Sequence, residues 1–160
     1  LAGSVANAVV RFDRHRVSLV AVFSDLIRNG AALVGVAFNS IGRHSQGGIL
    51  RERVIPRILE ADPDELVASD TGLIDPAKVL AVGRRDEKPG GHGDRAGALA
   101  AVELACWDLL AKYHDEPAAA TIARAFGRVR AEGAAVYAAG GYYSPTGGID
   151  ALRAEVAGYL

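Results

Sequence analysis

At 160 residues, half of them apolar and 6% aromatic, the chain has the size and content of one globular domain with a real core, which excludes intrinsic disorder. Its 18 basic residues against 19 acidic ones leave a net charge of -1, without the basic field that nucleic acid or an anionic membrane surface requires, so neither is expected as a partner. A single cysteine permits no internal disulfide, no apolar run approaches the roughly 20 residues of a membrane span, and the first ten residues lack a signal peptide's charged start; a cytoplasmic protein is expected.

Taken in chain order, Val5 to Phe12 and Val17 to Ile27 are rich in Val, Leu and Phe, and the second run meets Asn29-Gly30 before Ala31 to Phe38 resumes apolar character. Asn-Gly between two apolar runs predicts a hairpin. The polar stretch Asn39 to Gly48 reads as a loop, and Ile49 to Glu60 as a helix whose face carries Leu50, Val54, Ile58 and Leu59, bent or restarted at Pro56. Asp62-Pro63 and Asp75-Pro76 each pair an N-cap acceptor with proline in the first helical turn, predicting two short helices. Lys88, Pro89, Gly90, Gly91 and Gly93 form a charged glycine loop, followed from Arg95 by a long helix with Leu99, Val102, Cys106 and Leu109 on its apolar stripe. Cys106 on that stripe reads as a core thiol. Pro117 to Phe126 adds further helix. Ala134 to Ala139 reads as a small strand ending in Gly140-Gly141-Tyr142-Tyr143, and Ile149 to Leu160 as a helix with Leu152, Val156 and Tyr159 at helical spacing. A strand, glycine loop and helix open a parallel β/α array. A lone strand leaves ladder groups unpaired, so this one is expected either to join the first sheet or to pair with strands outside these residues.

Gly91-His92-Gly93-Asp94-Arg95-Ala96 formally fits a dinucleotide fingerprint, but the approach from Arg84 to Pro89 is too polar for the buried strand that motif requires. No set of carboxylates and imidazoles converges as a metal site would demand. His92 reads as a loop residue bonding to backbone, and His15, His44 and His114 as surface residues. Glu103 and Asp108 are expected to form salt bridges or cap a neighbouring segment, Asp108 with Lys112 being an i,i+4 pair. The polar loop groups that remain are Asn39, Arg43, Lys88, Tyr142 and Tyr143.

Residues 100 to 112, Ala-Ala-Val-Glu-Leu-Ala-Cys-Trp-Asp-Leu-Leu-Ala-Lys, resemble the signature helix of the enolase superfamily in its mandelate racemase and muconate lactonizing branch. More narrowly, Asn39-Ser40, Gln46-Gly47-Gly48, Arg51-Glu52-Arg53, the run Glu87-Lys88-Pro89-Gly90-Gly91-His92-Gly93 and Tyr137 to Tyr143 are similar to the tartrate dehydratases of that branch. One departure is Ile41, apolar where those dehydratases carry a second polar residue.

The resemblance implies an α+β capping domain, an antiparallel meander followed by helices, over residues 1–130. Residues 131–160 would then be the first β/α unit of a modified TIM barrel that is otherwise absent from this chain. It implies a Mg²⁺-dependent hydro-lyase acting on an acid sugar or tartrate-like hydroxy diacid, by proton abstraction next to a carboxylate and β-elimination of water. In that family the base is a Lys of a Lys-x-Lys pair, the metal ligands are acidic residues on later strands, and a later histidine is the acid. Lys78, Lys88 and Lys112 are the only lysines and none is so spaced. No catalytic residue or metal ligand is therefore expected in this chain, which has no Met and reads as the front end of a longer enzyme. Substrate binding falls to Lys88 first, then Asn39 and Tyr142 or Tyr143, with Asn7 fourth. The expected partners are a small hydroxy acid and further copies of the chain in a homo-oligomer. A racemase or epimerase of the same superfamily is the first alternative, and a non-catalytic α+β domain that binds a small anion the second.

Overall fold

The computed structural model describes residues 15–39, 44–90, 92–140 and 147–159. The first apolar run with Asn7, the segment with Ser40, Ile41 and Arg43, and Gly91, Tyr142 and Tyr143 lie outside the described residues. Two compact units divide the chain, residues 16–130 and residues 1–15 with 131–160.

In the larger unit, β1 (Leu19–Arg28) and β2 (Ala31–Phe38) pair antiparallel across Asn29-Gly30, whose φ values of 54° and 78° are those of the tight turn the dipeptide predicts. Leu19 faces Phe38 and Phe23 faces Val34, but beyond an irregularity Ile27 faces Ala32. Ser24 mends that break. Its hydroxyl donates to the Leu33 carbonyl at 2.9 Å and accepts from the Leu26 amide at 3.3 Å, replacing ladder bonds lost at the bulge.

Helical structure follows sooner than the sequence predicts: α1 (His44–Ile49) occupies the second half of the expected polar loop. It runs through a π-helical turn, Leu50–Val54, into α2 (Ile55–Glu60). The helix thus widens before Pro56, which has no N–H to donate and whose ring would crowd an unbroken α-helical ladder. A 3-10 turn, Pro63–Glu65, takes its cap from Asp62, and α3 (Pro76–Gly83) from Asp75, whose Oδ1 accepts from the amides of Ala77 at 2.9 Å and Lys78 at 3.3 Å. Only the second proline start becomes an α-helix.

The central element is α4 (His92–His114), followed by α5 (Ala118–Ala125). The predicted stripe Leu99, Val102, Cys106 and Leu109 is buried, yet so are Ala98, Ala101, Ala105, Trp107, Leu110 and Ala111, so the helix is enclosed round most of its girth. It packs with Val20, Leu50, Val54 and Val79, which draws β1, the π-helical turn and α3 into one core. A side chain such as Leu99 or Val102 contributes about 1.5–3 kcal/mol on full burial. Small residues permit the close approach: a Cβ on Gly35 of β2 would strike the Ala105 carbonyl and come within 2.7 Å of Leu109 Cβ.

Polar groups lock the sheet onto this helix. Asp108 accepts from the Val36 amide at 2.7 Å, while Lys112 donates to the Val34 carbonyl at 2.9 Å and to Asp108 at 2.6 Å, so the predicted pair also satisfies two strand groups that β1 does not. At the helix end Arg28 donates to the carbonyls of Lys112 and Tyr113, the placement a helix C-terminus favours for a cation.

In the smaller unit, the strand expected at Ala134 to Ala139 is not formed. Among the described residues they pair with no strand, and Val136 and Tyr137 are 89% and 90% exposed; without a ladder partner there, an extended segment has nothing to hold it. The last predicted helix is present as α6 (Gly148–Ala157). The β/α unit and barrel of the sequence reading are accordingly not seen among the described residues; an antiparallel two-stranded sheet followed by helices is.

Candidate functional site

The segment between α3 and α4 turns at Arg84 to Asp86 and then presents Glu87, Lys88, Pro89 and Gly90. No strand leads into the glycines. His92 opens α4 instead of lying in the loop, and Gly93 belongs to the first helical turn, which shortens the predicted loop by several residues. Gly90 sits at φ 90°, in the left-handed region that glycine occupies at little cost, and this lets the chain reverse toward the helix.

Beneath this turn is a carboxylate that sequence reasoning did not single out. The Glu87 side chain is 7% exposed and meets three guanidinium groups: Arg53, Arg57 at 2.7 Å and Arg95 at 3.1 Å. Arg57 also donates to the Gly83 carbonyl at 3.2 Å, tying the end of α3 into the cluster. The hydrogen bond from Arg57 lowers the Glu87 pKa first, with Arg95 and Arg53 adding to it against the opposing effect of burial. Glu87 is therefore a fixed anion. Arg95 then reaches onward to the carbonyls of Lys88, at 2.8 Å, and Gly90. Arg53 and Arg57 stand four apart on one helix, a spacing visible in the sequence; their convergence on Glu87, 30 or more residues away, is not.

Lys88 is exposed, and its ammonium makes no hydrogen bond or ion pair with any described residue. The other two lysines are engaged: Lys78 donates to the carbonyls of Asp64 and Val67, and Lys112 to Val34 and Asp108. Beside Lys88 lies a hollow of about 560 Å³, whose walls include Leu80, Leu99 and Ala100 with Arg84, Glu87, Arg95 and Glu103. Arg84, Lys88 and Arg95 in its lining, together with Arg53 and Arg57 on Glu87, outnumber the two carboxylates there. An anion entering this hollow meets a net positive surface and one uncommitted ammonium.

Asn39 is placed elsewhere. It is 7% exposed at the end of β2, where its Oδ1 accepts from the Ser18 amide at 2.8 Å and its own amide donates to the Ser18 carbonyl at 3.1 Å. Its Nδ2 is buried with no hydrogen-bond partner among the described residues. Asn39 does not line the hollow at Lys88, so of the expected binding residues only Lys88 stands there. Two further hollows occur among the described residues. One of about 410 Å³ is flanked by Arg16, His44 and Arg51, and one of about 470 Å³ by Trp107, Phe126 and Arg124.

Cys106 is 1% exposed and its thiol is pushed up to about 12, by burial first and by the neighbouring Glu103 second, which makes it an inert core group as its position predicts. Among the described residues no three His, Cys, Asp or Glu side chains group so as to hold a metal ion, and no helix is long and apolar enough to cross a membrane. No protein-family model matches the chain.

Proposed function

We propose that this chain supplies the substrate-capping part of a dehydratase acting on an acid sugar or tartrate-like hydroxy diacid, in the manner of the enolase superfamily it resembles. The observation that carries the proposal is the uncommitted ammonium of Lys88 on a tightly fastened turn beside a 560 Å³ hollow. In this reading the ammonium holds the carboxylate of the diacid distant from the reacting carbon, and the apolar wall of Leu80, Leu99 and Ala100 excludes water from that contact. Asn39, which does not line that hollow, belongs to the proposed set by resemblance alone, as do Asn7 and Tyr142 or Tyr143. By the same resemblance the Mg²⁺ ligands, the base and the acid belong to later barrel strands, so what this chain does in the proposal is bind and orient. The setting proposed is a cytoplasmic homo-oligomer.

Turnover of hydroxy diacids by the full-length protein tests this. Replacement of Lys88 by Met removes the charge and keeps most of the apolar stem, so kcat/KM for the accepted diacid falls by about ten- to a hundredfold, the equivalent of a charge-assisted hydrogen bond of about 1.5–3 kcal/mol. Unchanged turnover of every accepted diacid refutes the assignment.

A further inference from the structure

The three guanidinium groups around Glu87 differ in what they do. The Arg53 side chain is 45% exposed and, among the described residues, bonds to Glu87 alone, and Arg57, at 24%, divides itself between Glu87 and the Gly83 carbonyl. Arg95 is the most enclosed, at 17%, and has three acceptors: the Glu87 carboxylate and the carbonyls of Lys88 and Gly90. Two carbonyls two residues apart, on either side of Pro89, thus converge on one planar fork that is carried by α4. Pro89 restricts its own φ, Gly90 takes the left-handed conformation, and the fork fixes the remaining freedom of the turn from outside.

We infer that Arg95, seated by Glu87, is the positioning residue that sets the Lys88 ammonium beside the hollow; this rests on the reading of Lys88 as the cation that holds the distal carboxylate. Arg95 itself is spent on protein acceptors and is not a ligand for the substrate. Its work is to hold the Lys88 backbone, and with it the Cα–Cβ bond from which the side chain springs, at the edge of the hollow. A carboxylate arriving there meets a charge already in place. Glu87 serves at one remove, because Arg95 without its counterion would turn toward water. Lysine cannot replace Arg95: one ammonium on a flexible stem does not present the parallel donors that reach both carbonyls and the carboxylate.

The test uses the full chain with Arg95→Gln and Arg95→Lys, and Lys88→Met as reference. Calorimetry gives the affinity for tartrate and for a hydroxy monocarboxylate of similar size, and hydrogen exchange follows the amides of Lys88 and Gly90 beside those of Leu99 to Leu110. Each Arg95 variant is expected to weaken tartrate about tenfold while leaving the monocarboxylate within a factor of about two. Exchange in the turn speeds up and the interior of α4 stays protected. In the double variant Arg95→Gln with Lys88→Met, the losses do not add, because one interaction is removed twice. Equal weakening of both ligands, or additive losses, marks Arg95 as merely structural and overturns the inference. Loss with Lys88→Met but not with either Arg95 variant overturns the positioning role alone. No loss with Lys88→Met overturns the reading of Lys88 and this role with it.

Discussion

Gly35 is where β2 meets α4 most closely, and a methyl group there would press on the Ala105 carbonyl and on Leu109 Cβ. Both neighbours belong to a packed helix that cannot yield independently, so Gly35→Ala should destabilise by about 1–3 kcal/mol, read as a lowered urea midpoint at unchanged slope. Glu87 gives a pH-dependent expectation. Its folded pKa lies below the ordinary 4.5, so between those values the unfolded chain binds a proton that the folded chain does not. The stability it contributes is fully present above 4.5 and is lost as pH falls through the folded value. Chemical denaturation at pH 6 and pH 3 should therefore show a larger acid loss in the wild type than in Glu87→Gln. Glu65 and Glu116, lowered in the same direction first by hydrogen bonds from Arg85 and Arg124, keep some acid slope in the variant. Parallel acid slopes in the two proteins would remove Glu87 from the account.

Among the elements, those set by neighbouring residues were legible in the sequence. Asn29-Gly30 specified the hairpin because both residues accept positive φ, Asp75-Pro76 specified the start of α3 through a side-chain cap, and the stripe from Leu99 to Leu109 specified α4. The failures are those where distant contacts decide. Asn39 to Gly48 read as a loop because it is polar, a local preference overridden at His44–Ile49, where Leu50 and Val54 just beyond pack into the core beside α4. Ala134 to Ala139 has strand composition, but composition does not provide a partner. Lys88 was legible as a charged loop residue, whereas the cluster that fixes it was not, since its members are scattered from Arg53 to Arg95. At this scale Asp108 and Lys112 also join helix to strand. Asp108→Ala leaves the Val36 amide without its acceptor and Lys112 without its counterion; with both side chains at least a third exposed, the loss should be about 1 kcal/mol, measured by denaturant unfolding. A loss below a few tenths would mean that water replaces the carboxylate freely.

For the molecule as a whole, the larger unit places the Lys88 turn on the buried framework of α3 and α4 and commits many of its polar side chains to holding that framework. The side chains of Arg28, Arg57, Arg95, Lys78 and Lys112 all bond to backbone carbonyls, whereas those of Lys88 and Arg84, both beside the 560 Å³ hollow, bond to none among the described residues. The ε-methylene resonances of Lys78, Lys88 and Lys112 can each be identified in the full-length protein by the signal that its single replacement removes. Titration with a four-carbon hydroxy diacid, observed at those three signals in the full-length protein, tests the central claim most directly. A saturable shift of the Lys88 signal, with Lys78 and Lys112 unmoved and no response to a hydroxy monocarboxylate, is the predicted result; a Lys88 signal that stays in place while the diacid binds would contradict it.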